Sequence, residues 1–233
     1  MPNVSAQTPI GLLVTERLDR ARVFEGLGID YYSDGSKSLL AACNEANIAL
    51  ERVVAALLEA DASPEDGTAV TGHSITELTQ HIAETHHRYM RRVLPRLEEL
   101  VLKIKRVHGD NHEELHTLAD LYQRLKPELE GQLSHEEDVF FPFCAELEAG
   151  RKDVSAEWIA QRLEARCAEH AEVLRLLGKM RELTHGYFIP EDACNTYRMT
   201  FNALAELEAD THLYIHKKSN MLFARLSRHN AAV

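Results

Sequence analysis

Four stretches of this chain carry polar side chains where a helical core stripe should be apolar. Leu115, Leu118, Tyr122, Leu125, Leu129, Gln132, Glu136, Val139 and Phe143 recur at alternating steps of three and four. That rhythm is one inward face of a packed helix. Tyr122 fits it through its ring, but Gln132 and Glu136 aim an amide and a carboxylate at the core. Ala83, His87, Met90, Leu94, Leu97 and Val101 repeat the rhythm earlier, with His87 as the interruption. Later, Ala160, Leu163, Cys167, His170, Leu174 and Leu177 place His170 inward, with Cys167 one turn before it. Leu204, Leu207, Thr211, Tyr214, Lys218 and Met221 do the same for Tyr214 and Lys218, at the four-residue spacing of Gln132 and Glu136. A buried polar group without a partner costs about 1–3 kcal/mol, and a charge costs more. Several at one level must therefore satisfy one another or hold a ligand. Imidazole and carboxylate groups turned inward from four helices are how bundles build iron sites. A hydrogen-bonded polar layer with no ligand is the other outcome, and the pattern alone leaves both open.

Four long helices must position these residues. The first is expected from Ser74, whose capping box with Glu77 marks its start, to about residue 107. The second is expected from Asp110, boxed with Glu113, to about residue 147, before Gly150. The third should span residues 155–184. The fourth should start near Pro190, a residue suited to a first helical turn, and reach about residue 226. Pro95, Pro127 and Pro142 fall inside helices and are expected to kink them. Short connections between long helices imply an up-down-up-down bundle over residues 73–228. Residues 61–72, DASPEDGTAVTG, are rich in turn formers and lack apolar periodicity, so they read as a linker. Before them, helical patterns over residues 14–25, 37–46 and 48–60 make a small domain at residues 1–62, with Gly26 and Gly28 ending the first. The fold class is all-α.

Composition narrows the partners. A formal net charge of -11 argues against nucleic acid and anionic membranes. No apolar run approaches a membrane span. The first twenty residues show no basic segment followed by an apolar stretch, so no signal peptide is expected and the cytoplasm is the expected compartment. Cys43, Cys144, Cys167 and Cys194 are scattered without a CxxC, which points to reduced thiols. Of the other histidines, His81, His86, His212 and His216 flank the stripes, and His108, His112 and His116 lie near the first interhelical turn. They read mostly as surface residues or as supports for the inward ones.

The segments GIDYYSDGSKSLLAAC, HIAETHHRYMRRVLPRLEEL, IKRVHGDNHEEL, EEDVFFP, ACNTYR, ELEADTHLYIH and NMLF are together distinctive. Through them the chain resembles the iron-sulfur cluster repair di-iron proteins, the RIC family, over nearly its whole length. The resemblance implies a small N-terminal domain and a hemerythrin-like four-helix bundle holding two irons. It also implies a role in nitric-oxide and oxidative stress and in restoring damaged iron centres. The family's N-terminal domain has a Cys-Cys pair followed by glycine; here Tyr32 and Ser33 stand there, with Gly35 kept. In the bundle the family uses four histidines and two glutamates. His87, His170 and Glu136 fall on three of those positions. Gln132 and Tyr214 replace histidines, Lys218 replaces the second glutamate, and Ala171 replaces the aspartate that usually follows the third-helix histidine. A lysine where a carboxylate bridged two cations opposes a second metal, which argues against an ordinary di-iron centre.

The leading expectation is therefore a divergent member with an altered centre. His87, Glu136 and His170, joined by Tyr214, would hold one non-haem iron that binds nitric oxide or dioxygen, with an iron-centre protein as a possible client. Haem on one of the histidines is a lesser option, since no haem motif is present. The alternative is a metal-free bundle with a Glu136–Lys218 core, acting as a regulatory or partner protein. A third reading uses Lys218, Tyr214 and Glu136 as catalytic groups, so whether the chain is an enzyme stays open. The sequence does not fix the oligomeric state.

Overall fold

The computed structural model describes residues 4–62, 70, 72–151 and 154–231, and apart from one isolated antiparallel bridge between Pro9 and Ser38 everything described is helix, turn or loop. Most of the linker read at residues 61–72, namely 63–69 and 71, lies outside the described residues.

Four short helices come first: α1 (Ile10–Glu16), α2 (Arg20–Leu27), α3 (Leu39–Glu45) and α4 (Leu50–Asp61). The single helix expected over residues 14–25 is thus two, broken at Arg17, whose backbone is extended. The break has a polar cause. Arg20 is fully buried, and its guanidinium donates to Asp61 at 2.8 and 2.9 Å and to the Leu13 carbonyl at the end of α1 at 3.0 Å. Arg17 reaches Asp19 and the Asp61 carbonyl from the same corner. Only a turn lets both arginines meet the end of α4. Gly26 lies inside α2; Gly28, at φ 67°, ends it, and the Ile29 N–H returns to the Phe24 carbonyl. Ile10, Leu13, Phe24, Tyr31, Leu39, Val53 and Leu57 form an apolar core here, distinct from that of the long helices.

The first long rod is α5 (Ile75–Ile82), a π-helical turn (Ala83–His87) and α6 (Arg88–His108). Its capping box is as expected: Ser74 Oγ accepts from the Glu77 N–H, and Glu77 accepts from the Ser74 N–H at 2.8 Å. The second rod is α7 (Glu114–His135), a π turn (Glu136–Phe140) and α8 (Phe141–Glu148). Its start is four residues later than expected. Asp110–Glu113 is still a turn coming off α6, with the His112 N–H on the His108 carbonyl, and no side chain caps the helix. The third rod is α9 (Ala156–Leu183), close to the expected span, with Ser155 just before it as a cap that accepts from the Trp158 N–H. The fourth is α10 (Asn195–His216), a π turn (Lys217–Leu222) and α11 (Phe223–Ala231). Pro190 precedes it in a turn closed by the Ala193 N–H on the Pro190 carbonyl, so the helix starts at Asn195. α6 packs on α7, α7 on α9, and α10 back on α6, which closes the up-down-up-down bundle.

The rods run through Pro95 and Pro127; what interrupts them is the three π turns. The second turn leads directly to Pro142, which has no N–H for the carbonyl four residues back. Each π turn adds a residue to the helical circuit and rotates the helix beyond it. This is why Val139, expected inside, is 47% exposed, while Phe140, Phe141 and Cys144 are buried. The same widening lets neighbouring residues both turn inward: His86 with His87, and Lys217 with Lys218, are all buried.

Cys43 and Cys144 are buried, and burial raises both thiols, Cys144 to about 12. Cys167 and Cys194 are exposed. By exposure the folded chain should give two thiols quickly to a disulfide reagent, with Cys167 held back because partial burial raises it as well, and the other two only on unfolding. A third fast thiol, traced to Cys43, would contradict the absence of thiol chemistry in the first helices.

Candidate functional site

The polar layer forms where the three π turns face one another and α9. Lys218, on the third turn, is 1% exposed. Its ammonium donates to Glu136 Oε1 in a very short contact, to His170 Nε2 at 2.7 Å and to the Tyr214 hydroxyl at 3.1 Å. An ammonium has three N–H groups, and all three are used. Tyr214 donates its own proton to Glu136 Oε1 at 2.7 Å. His87 Nε2 lies 3.1 Å from Glu136 Oε2, and His87 Nδ1 lies 2.9 Å from Glu137 Oε1. Carboxylates only accept, so both contacts are hydrogen bonds at once only when each His87 nitrogen carries a proton. Arg91 holds Glu137 from the rim at 2.7 Å.

The charges result from this wiring. Burial alone would raise the Glu136 carboxyl, but Lys218 and His87 outweigh it and hold it at about 2. Burial and then Lys218 drive His170 well below its ordinary value, so it is a neutral acceptor, with Ser219 at 3.3 Å from its Nδ1. Burial and then the carboxylate push the Tyr214 hydroxyl well up. Lys218 is lowered by burial and supported by Glu136. The layer is thus a neutral phenol and a neutral imidazole around one carboxylate–ammonium pair, with His87 bridging two carboxylates.

Five of the expected site residues meet: His87, Glu136, His170, Tyr214 and Lys218. Gln132 is buried but turned aside. Its amide donates to the Glu169 carbonyl at 3.2 Å, and its Oε1 is a buried acceptor without a partner. Cys167 does not belong to the core; it is exposed, and half-buried Arg166 takes the inner position beside it. Glu137 and Ser219 were missed. The acidic run Glu136-Glu137-Asp138 was the available hint for the first; nothing in the pattern marked the second.

The flanking histidines are also corrected. His86, His212 and His216 are buried, because α1, α2 and the segment between α2 and α3 cover that side of the bundle. His212 pairs with Glu25 at 2.8 Å, Thr15 meets His216 at 3.3 Å, and the Tyr32 ring stacks on His212 at 3.7 Å. Gly35 is needed here: a Cβ would fall 2.5 Å from Asn220 Oδ1.

A resident iron needs lone pairs that are free to face it. Glu136 Oε1 already accepts from Lys218 and Tyr214, and Oε2 from His87. His170 Nε2 accepts from Lys218, and His87 has both nitrogens on carboxylates. Among the described residues, no three His, Cys, Asp or Glu side chains gather as a metal set. The donors are committed to an ammonium at their focus, so this arrangement does not fit iron.

The acid stability of the fold should report the same pair. Glu136 sits at about 2 against an ordinary 4.5, so its contribution is complete above pH 4.5 and is lost as pH falls toward 2. The loss should be on the order of 3 kcal/mol and absent in Glu136→Gln. An unchanged acid limb in that variant would contradict the assignment.

Two family models match the chain. One, described as the hemerythrin HHE cation binding domain, covers residues 78–226; the other, described as a domain of unknown function (DUF542), covers residues 6–61. Relatives span the whole length. The iron-sulfur cluster repair protein ScdA of Staphylococcus haemolyticus is 28% identical over 225 residues, 96% of this chain and 100% of the relative. The iron-sulfur cluster repair protein YtfE of Pectobacterium carotovorum is 27% identical over 207 residues, 89% and 90% of the two chains. That of Yersinia pseudotuberculosis is 28% identical over the same shares.

Proposed function

Given that the chain belongs to the hemerythrin HHE cation binding domain family, we propose that it is a lysine-centred, metal-free member that serves iron-sulfur cluster repair as a partner protein and not as an iron carrier. One observation carries this reading: the Lys218 ammonium takes the acceptor atoms of Glu136, His170 and Tyr214 that a cation would need. A fixed positive charge there preserves the layer's electrostatics without a metal. The two separate apolar cores support reading residues 1–62 and 73–228 as a small domain and a bundle. The repair role is transferred from the names of the relatives, and its setting in nitric-oxide stress from the family resemblance.

A client assay tests the reading. The chain, without added iron, is mixed with an iron-sulfur enzyme inactivated by nitric oxide. It should associate with the enzyme, and activity should return only when ferrous iron and sulfide are supplied. Full recovery from the chain alone would overturn the proposal.

A second reading has an observation of its own. Glu136, His170 and Tyr214 share one focus, the Lys218 ammonium, and His87 borders it through Glu136 Oε2; this supports a mononuclear iron site with nitric oxide or dioxygen at its open positions. Its difficulty is that Lys218 must leave that point as a neutral amine, stripping Glu136 of its counter-charge.

A further inference from the structure

Lys217, next to the layer's lysine, points to different surroundings. Its amine lies 2.9 Å from His81 Nε2 and 2.9 Å from His86 Nε2. His86 Nδ1 is in turn 2.9 Å from Asp210 Oδ1. The carboxylate can only accept, so the His86 Nδ1 proton is given to Asp210 and the Nε2 lone pair is left for Lys217. Lysine, imidazole and carboxylate thus stand in line, the relation of nucleophile, base and orienting group. Asp210 Oδ2 is a buried acceptor without a partner. Lys217, His81, His86 and Asp210 line a cavity of about 390 Å³ between the first helices and the bundle, walled also by Leu18 and Leu213.

The two lysines contrast in their partners. Lys218 donates three hydrogen bonds, one to a carboxylate, and is fixed as an ammonium. Lys217 has two acceptors, both imidazoles, and no carboxylate in contact. Two acceptors leave the third position on the nitrogen uncommitted, and in the neutral amine that position is a lone pair. We propose that Lys217 is a reactive amine that forms an imine with a small aldehyde or ketone admitted to this cavity. Its nitrogen pair attacks the carbonyl carbon and the C=O π pair moves to oxygen. His86 Nε2 relays a proton from nitrogen to that oxygen. The carbinolamine then loses water, so carbonyl and amine leave as imine and water with nothing oxidised or reduced. Burial, opposed in part by Asp210, brings the Lys217 amine down to about 8. Near neutral pH roughly a tenth of it is uncharged, against well under ~0.1% for an ordinary lysine.

Reductive trapping tests this on the full chain. Acetaldehyde and sodium cyanoborohydride are added at pH 7, and alkylation of each lysine is followed by peptide mass. Lys217 should be alkylated at least ~10-fold faster than exposed Lys103 and Lys179 in the same molecule. His86→Gln, which keeps an amide beside the amine and removes the proton relay, should slow Lys217 toward their rate and leave theirs unchanged, with helical content measured alongside. Alkylation of Lys217 no faster than that of the exposed lysines in the unaltered chain would overturn the proposal, whatever the variant does. Fast alkylation that survives His86→Gln would overturn the role given to His86.

Discussion

Lys218→Met should lower the free energy of unfolding by about 3–5 kcal/mol, because it strands the Glu136 carboxylate in the core. Glu136 is fully buried; its Oε1 would keep only the Tyr214 hydroxyl and its Oε2 only His87, with the ammonium gone. The change removes little volume, so a cavity cannot account for a loss of that size. Glu136→Gln should also be costly, since it leaves the ammonium without its carboxylate. The double variant, however, should recover much of the loss, because methionine and an amide bring no net charge to the layer. Denaturant unfolding of the four proteins completes the cycle. Additive losses would show that the two residues are not energetic partners, whatever their separation.

The second large effect is a gain. Gln132→His, Tyr214→His and Lys218→Glu together recreate the four histidines and two glutamates that the family resemblance implies, with the backbone left as it is. The ammonium at the focus is exchanged for a carboxylate, and Glu136 and His170 are released. The triple variant should bind two irons per chain and gain near-ultraviolet absorption from a bridged ferric pair, measured after anaerobic reconstitution and air oxidation. Gln132 has to turn from the Glu169 carbonyl toward the layer, and its unpartnered Oε1 shows that little holds it in place. Should the variant take up iron weakly, Ala171→Asp is the next reversion, because a carboxylate beside a ligating histidine orients it. A triple variant that stays folded and binds no iron even with that fourth change would refute the claim that side chains, not the fold, removed the centre.

The bundle was legible because apolar steps of three and four persist over each rod, and because polar residues that break such a stripe stand out. His87, Glu136, His170, Tyr214 and Lys218 were found that way, and they do meet. The errors have one main source. A π turn inserts a residue without a compositional mark, so a strict rhythm carried past Glu136 placed Val139 inside and missed Phe140 and Phe141. The same turns bury adjacent pairs, which a one-stripe reading forbids; hence His86 and Lys217 were assigned to the flanks or passed over. His212 and His216 were misjudged for another reason. They are buried by the first helices, and no periodicity within a helix reports what a distant segment lays over it. The break between α1 and α2 likewise depends on Asp61, more than forty residues beyond Arg20 in the chain. Helix starts at Glu114 and Asn195 were lost to residues, Asp110 and Pro190, that favour a helix start but stand in turns here.

Iron content of the unaltered chain tests the account most directly. Apoprotein is incubated anaerobically with excess ferrous iron and desalted, and metal per chain is determined by elemental analysis. With the Lys218 ammonium at the focus of Glu136, His170 and Tyr214, the chain should retain no iron and show no near-ultraviolet charge-transfer absorption. Two irons retained per chain would contradict the account outright. One iron bound in the layer would contradict it in favour of the mononuclear reading, with Lys218 displaced from the centre it is taken to fill.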